Sequence, residues 1–153
     1  MKSLLKPGQK DLVRQTLSGL QRKRDMPIDR NILLNMAKQA AEKSHSPYSG
    51  FAVGAALLCK NGKVYTGCNI ENSSYPATIC AERTVFSKAI SEGEREFEAI
   101  AIVGGREGNF ENECLPCGIC RQVMAEFCKG DFTVITTMRE YTFKQLLPFA
   151  FSL

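Results

Sequence analysis

Three cysteines and one glutamate have the spacing of a metal-ligand set with a proton carrier beside it. Cys117 and Cys120 stand three apart in Pro116-Cys117-Gly118-Ile119-Cys120, so at the start of a helix both sulfurs can face one ion. Cys80, in Cys80-Ala81-Glu82-Arg83, opens a second helical pattern and offers a third sulfur. Helix N-termini favour thiolates, because the dipole end and the free N–H groups stabilise negative charge. Three protein ligands leave a fourth tetrahedral position open for water, the layout of a catalytic zinc and not of a structural one. Zinc lowers the pKa of water from about 15.7 toward ~7. Glu82, two residues after Cys80, is poorly placed to share its coordination direction and well placed to take a proton from water and deliver it elsewhere.

The elements that must position these residues can be read along the chain. Asp29 can cap a helix running to about Lys43, with Leu33, Leu34, Met36, Ala37, Ala40 and Ala41 as its buried stripe. Ser46-Pro47-Tyr48-Ser49-Gly50 breaks it. Phe51–Leu58 and Lys63–Cys68 are apolar runs around Asn61-Gly62, a pair that can supply two positive φ angles, so a tight antiparallel hairpin is expected. A polar loop, Asn69–Ile79, leads to a helix from about Cys80 to Ser91, closed by Gly93. Phe97–Val103 reads as a strand buried on both faces and stopped by Gly104-Gly105. A third helix runs from Pro116-Cys117-Gly118 to about Cys128, followed by a strand at Phe132–Thr137 and a short helical piece at Phe143–Leu147. This order predicts an α/β fold, a mixed sheet covered by helices with parallel crossovers.

Length and composition narrow the classes. A chain of 153 residues with 44% apolar and 24% charged residues suits one core. The longest apolar stretch, Ala52–Cys59, spans about a third of a bilayer at helical rise, so no membrane helix is expected. No secretory leader opens the chain, and a cytoplasmic location with reduced thiols is expected for the seven cysteines. Seven basic and two acidic residues fall in residues 1–25, leaving that segment at +5 and the other 128 residues at −1. The body therefore lacks the clustered charge of a nucleic-acid surface. Residues 1–28 read as a basic extension, helical or disordered, and 29–153 as the catalytic domain.

Zinc nucleobase deaminases use this kind of ligand set with a neighbouring glutamate. From about residue 29 onward the chain resembles the cytidine deaminases of the small, homotetrameric, three-cysteine class. The matching strings are Ser46-Pro47-Tyr48-Ser49, Phe51-Ala52-Val53-Gly54-Ala55-Ala56-Leu57, Asn69-Ile70-Glu71-Asn72, Cys80-Ala81-Glu82-Arg83-Thr84 and Pro116-Cys117-Gly118-Ile119-Cys120-Arg121-Gln122, in family order. The resemblance implies a three-layer fold with a mixed sheet of about five strands. It implies one zinc per subunit on Cys80, Cys117 and Cys120, a homotetramer with shared sites, and no nucleic-acid or membrane partner. The reaction implied is hydrolysis of cytidine and 2′-deoxycytidine to the uridines with release of ammonia, in pyrimidine salvage.

By the same resemblance, Glu82 shuttles protons from water to N3 and the leaving amine. Asn69 and Glu71 hydrogen-bond the ribose hydroxyls, Phe51 stacks on the pyrimidine, and the Ala81 N–H meets the base carbonyl. Tyr75 and Phe151 reach a neighbouring subunit's pocket. Arg83 contacts the zinc thiolates, where it offsets the net −1 of three thiolates and Zn²⁺. Thr78 stands where the family often has glycine, and a positive φ there would strain it.

Other readings compete with these. Cys59, Cys68, Cys114 and Cys128 read as buried thiols, His45 as a helix-end residue, and Arg121 as a surface or interface residue. Phe51 on its own reads as core, and Phe149 and Phe151 as tail packing. A deaminase of a modified cytosine nucleoside antibiotic, a polynucleotide deaminase and a non-catalytic zinc module are the rival functions. Asn69 with Glu71, the neutral body and Glu82 oppose them in turn.

Overall fold

A computed structural model describes residues 29–151 of the chain, so the basic extension expected over residues 1–28 lies outside the described residues. Helix α1 (Arg30–Ala41) begins where the Asp29 carboxylate accepts the N–H groups of Asn31 and Ile32, two donors that the first turn otherwise leaves unpaired. Its buried stripe is Leu33, Leu34, Ala37, Ala40 and Ala41, with Met36 half-buried at the margin.

Strands β1 (Ala52–Cys59) and β2 (Val64–Cys68) pair antiparallel as expected, but their turn is of another kind. Gly62 has φ 88°, whereas Glu107 is the one non-glycine with positive φ among the described residues, so Asn61 does not adopt it. The loop holds three residues: the Gly62 N–H bonds the Cys59 carbonyl and the Cys59 N–H bonds the Lys63 carbonyl, both at 2.9 Å. This is a type I turn followed by a left-handed glycine. It leaves the Asn61 side chain free to donate to Glu94 at 2.8 Å, and Lys63 pairs with the same carboxylate at 2.9 Å.

A single 3₁₀ turn at Tyr75–Ala77 precedes α2 (Ala81–Ser91). Thr78 sits at φ −58°, an ordinary conformation, so the strain anticipated there does not arise. Strand β3 (Phe97–Gly105) continues through both glycines instead of stopping at them, pairing Gly104 with Val53 and Gly105 with Ala52. A Cβ on Gly105 would lie 1.6 Å from the Asn109 carbonyl oxygen. The glycine admits the returning loop rather than ending the strand. Helix α3 (Gly118–Phe127), β4 (Thr133–Ile135), β5 (Glu140–Thr142) and α4 (Phe143–Leu146) complete the fold. Strand β5 was not apparent in the sequence, because three residues carry no readable alternation.

The sheet order is β2-β1-β3-β4-β5. β1 runs antiparallel to both neighbours, and among the described residues the only parallel crossover is β3–α3–β4. Alternate residues of each central strand face opposite layers. Ala55, Leu57, Ile100, Ile102 and Val134 join Val85, Phe86 and Met124 of α2 and α3, while Ala56, Ala99, Ala101, Val103 and Ile135 meet α1. Helix α1 lies so close to β1 that a Cβ on Gly54 would fall 2.0 Å from the Ala37 carbonyl oxygen. The result is the expected three-layer α/β arrangement.

Candidate active site

Both cysteine-bearing helices begin at their cysteine. Cys80 (φ −71°, ψ 155°) and Cys117 (φ −67°, ψ 170°) are the N-cap residues of α2 and α3, extended in backbone and without a side-chain capping bond. Their sulfurs are therefore free to face outward beside the helix ends, and Cys120 follows one turn inside α3. The three Sγ atoms lie within 4.8 Å of one another, with Cys80–Cys117 at 3.8 Å and Cys117–Cys120 at 3.4 Å. Ligand bonds of about 2.3 Å in a tetrahedron put sulfurs roughly 3.8 Å apart, so the trio fits zinc in both donor type and spacing. Cys120 is buried, Cys80 half-buried and Cys117 exposed, which leaves one side of the cluster open.

Charge at the cluster is uneven. A hydrogen bond from Cys120 and the Arg83 guanidinium pull the Cys80 thiol down to about 5. The same bond pushes Cys120 upward, reinforced by burial and by the charge of Glu82. One sulfur accepts a negative charge readily and the next resists it, a conflict that a bound dication removes. Arg83 donates to the Thr78 carbonyl at 2.7 Å and reaches Cys80 Sγ at 3.9 Å. Its Nε is buried with no hydrogen-bond partner among the described residues.

Glu82 is 4% exposed and the one buried acidic side chain among the described residues. Burial pushes its carboxyl up to about 7. Glu82 follows Ala81, the first residue of α2, whose N–H belongs to the group of helix donors without a partner inside the helix.

Phe51, Asn69 and Glu71 gather around the Ser46–Gly50 loop. The Asn69 amide is buried, with Oδ1 accepting from the Val53 N–H and Nδ2 donating to the Phe51 carbonyl. Glu71 Oε2 accepts the N–H groups of Tyr48 at 2.8 Å and Ser49 at 3.2 Å, and the Ser49 hydroxyl leads the contacts that hold this carboxyl below its usual range. The Phe51 ring and the Cys114 thiol both press on Gly104, where a Cβ would lie 2.8 Å from the ring and 2.6 Å from the sulfur. Cys114 in turn feels the charges of Glu82 and Cys80, which add to burial in raising it to about 11. Cys114 thus lies between the Phe51 ring and the charges of Glu82 and Cys80.

Tyr75 is exposed, its ring 6.0 Å from that of Tyr48, and Phe151 is exposed at the end of the described chain. Among the described residues the thiols with ligand spacing are these three. Cys59 is buried, while Cys68, Cys114 and Cys128 are only half-buried. His45 lies past the end of α1, exchanging backbone hydrogen bonds with Asn69 and Glu71.

Comparison with known proteins agrees with this geometry. Residues 28–136 match the family described as the cytidine and deoxycytidylate deaminase zinc-binding region. The chain belongs to this deaminase family. A cytidine deaminase of Sporosarcina psychrophila is 50% identical over 130 residues, covering 82% of this chain and 93% of the relative. The crystal structure of cytidine deaminase from Mycobacterium tuberculosis superposes with a TM-score of 0.75 at 42% identity, covering 83% of this chain and 100% of that one. The enzyme from Burkholderia pseudomallei gives 0.73 at 45% identity, covering 82% of this chain and 100% of that one. As a member of this family the protein is an enzyme, a hydrolytic deaminase whose matched region is zinc-binding.

Three side chains around the deaminase site make contacts that the sequence did not signal, half-buried Arg121, read there as a surface or interface residue, among them. Arg121, one residue after Cys120, donates to the Pro116 carbonyl at 2.8 Å and the Leu146 carbonyl at 2.9 Å, stapling the ligand loop to α4. Arg106 donates to the Ser49 carbonyl, and Ser44 donates to Asn69. Their partners lie 5 to 57 positions away, and no local pattern announces such contacts.

Proposed function

We propose that the enzyme hydrolyses cytidine and 2′-deoxycytidine to uridine and 2′-deoxyuridine with release of ammonia, serving pyrimidine salvage in the cytoplasm. The observation that carries this reading is a buried carboxyl, Glu82, next to three sulfurs that converge on one point. Residues 29–153 constitute the deaminase domain and residues 1–28 a basic extension outside it.

Cys80, Cys117 and Cys120 hold one zinc per subunit. Bound zinc supplies a Lewis acid that makes water deprotonable near neutral pH. Phe51 stacks on the pyrimidine, and the Ala81 N–H donates to the base carbonyl oxygen, an anchor of the kind a helix N-terminus offers. Glu82 accepts the proton of the attacking water and passes it to N3. It then takes the proton of the hydroxyl formed at C4 and delivers it to the exocyclic amine, which leaves as ammonia as the C4 carbonyl forms. Asn69 and Glu71 take the ribose hydroxyls, and Arg83 withdraws negative charge from the thiolates. A homotetramer completes each pocket, with Tyr75 and Phe151 reaching a neighbour; their exposure of 72% and 64% is consistent with covering surfaces.

The test is a spectrophotometric cytidine assay on wild type and Glu82→Gln, with zinc measured in both. We expect zinc in both proteins and a fall in turnover of about 10²-fold or more in the variant. A variant with undiminished turnover, or a wild type without ammonia release from cytidine, contradicts the reading.

A further inference from the structure

We infer that Ser44 is a positioning residue for the sugar-recognising amide of Asn69, an inference that rests on the reading of Asn69 and Glu71 as the groups that take the ribose hydroxyls. Asn69 is 8% exposed and its side chain is pinned at three points. Oδ1 accepts the Val53 N–H at 2.8 Å and the Ser44 hydroxyl at 2.5 Å, and Nδ2 donates to the Phe51 carbonyl at 2.9 Å. The two backbone partners decide which end is oxygen, since an N–H only donates and a carbonyl only accepts. An amide offers two acceptor sites and two N–H donors. Both acceptor sites and one donor are engaged within the chain, so a single N–H remains for a ligand.

Glu71 presents the complement. The Tyr48 and Ser49 N–H groups on Oε2 and the Ser49 hydroxyl take three of the about four acceptor sites of its carboxylate, which leaves one to accept. A sugar hydroxyl accepts from the one and donates to the other. Ser44 bears on both sides of this pair. Its hydroxyl holds the Asn69 oxygen and lies 3.1 Å from the Ser46 hydroxyl, at the head of the loop that grips Glu71. Without it, Oδ1 keeps an unpaired acceptor site in a buried setting and the amide loses one of its pins. The backbone does not rest on that hydroxyl, whose contact with the Asn69 carbonyl is long at 3.5 Å. His45 N–H bonds the Asn69 carbonyl at 3.1 Å, and Glu71 N–H bonds the His45 carbonyl at 2.7 Å. The segment therefore stays in register in a Ser44→Ala variant.

The test compares steady-state kinetics on cytidine and 2′,3′-dideoxycytidine for wild type, Ser44→Ala and Ser44→Thr. Wild type should prefer cytidine in kcat/KM. Ser44→Ala should raise KM for cytidine about 5-fold with little change in kcat and leave the dideoxynucleoside unaffected. Ser44→Thr, which keeps a hydroxyl, should restore the preference. Equal losses on both nucleosides, or an unchanged preference in Ser44→Ala, would overturn the inference. A wild type that does not distinguish the two nucleosides would overturn the reading of Asn69 and Glu71 and the inference with it.

Discussion

Arg83 stands between the two charge-bearing parts of the site. Its guanidinium is anchored on the Thr78 carbonyl and faces Cys80, where it helps to hold the thiol below its ordinary value. Removing the positive charge leaves more negative charge on the sulfurs and would weaken the zinc proposed to sit on them as a Lewis acid. Arg83→Ala should keep zinc, lose about tenfold or more of its activity at pH 7, and shift the rise of activity to higher pH. A pH–rate profile unchanged from wild type would remove Arg83 from this role. At this scale the sequence was most informative where chemistry is local. A cysteine pair three apart is readable without a fold, because one helical turn brings both to one face, and a glutamate two residues from a third cysteine is readable as a close neighbour pointing elsewhere. Asn69 was legible as a polar loop residue, but its partners Ser44, Phe51 and Val53 are supplied by other segments. The single free N–H that remains is visible only once those segments have folded.

Elements set the site through close packing. The α1 backbone rests directly on β1 at Gly54, and β1 carries Val53, whose N–H orients Asn69. Gly54→Ala places a methyl group against the Ala37 carbonyl and the Ala41 N–H, neither of which is a flexible side-chain end. We expect a loss of about 3 kcal/mol of stability or more, seen as a lower urea midpoint; a midpoint within error of wild type would show that α1 can shift away without cost. The helices and the first four strands were legible from periodicity, caps and turn residues. What failed was the reading of glycine. Gly104 and Gly105 punctuate in sequence, yet in the fold they are strand residues chosen for close approach by Phe51, Cys114 and Asn109. Asn61-Gly62 signals a hairpin correctly but not its turn type, since the Asn61 amide is drawn to Glu94, 33 positions away.

The whole molecule joins a closed core to an uneven surface. Tyr48, Ile70, Tyr75, Ile79, Leu115 and Ile119 are all exposed, and they belong to the loops and helix start that carry the site's residues. No helix among the described residues is long and apolar enough to cross a membrane. The proposed homotetramer would bury such a surface, and multi-angle light scattering on the full chain should give a mass of four subunits; a monomer mass at micromolar concentration would contradict the proposed assembly. Architecture was legible in outline because the order of elements restricts the sheet, whereas the parallel-crossover expectation held only for β3–α3–β4. The central claim is that sulfurs from two separate helix starts share one ion. X-ray absorption at the zinc edge of the purified full-length protein tests it most directly. The predicted spectrum has three sulfurs at about 2.3 Å and one oxygen or nitrogen at about 2.0 Å, with one zinc per subunit. A shell with one sulfur or none, or four sulfurs closing the fourth position, would contradict it.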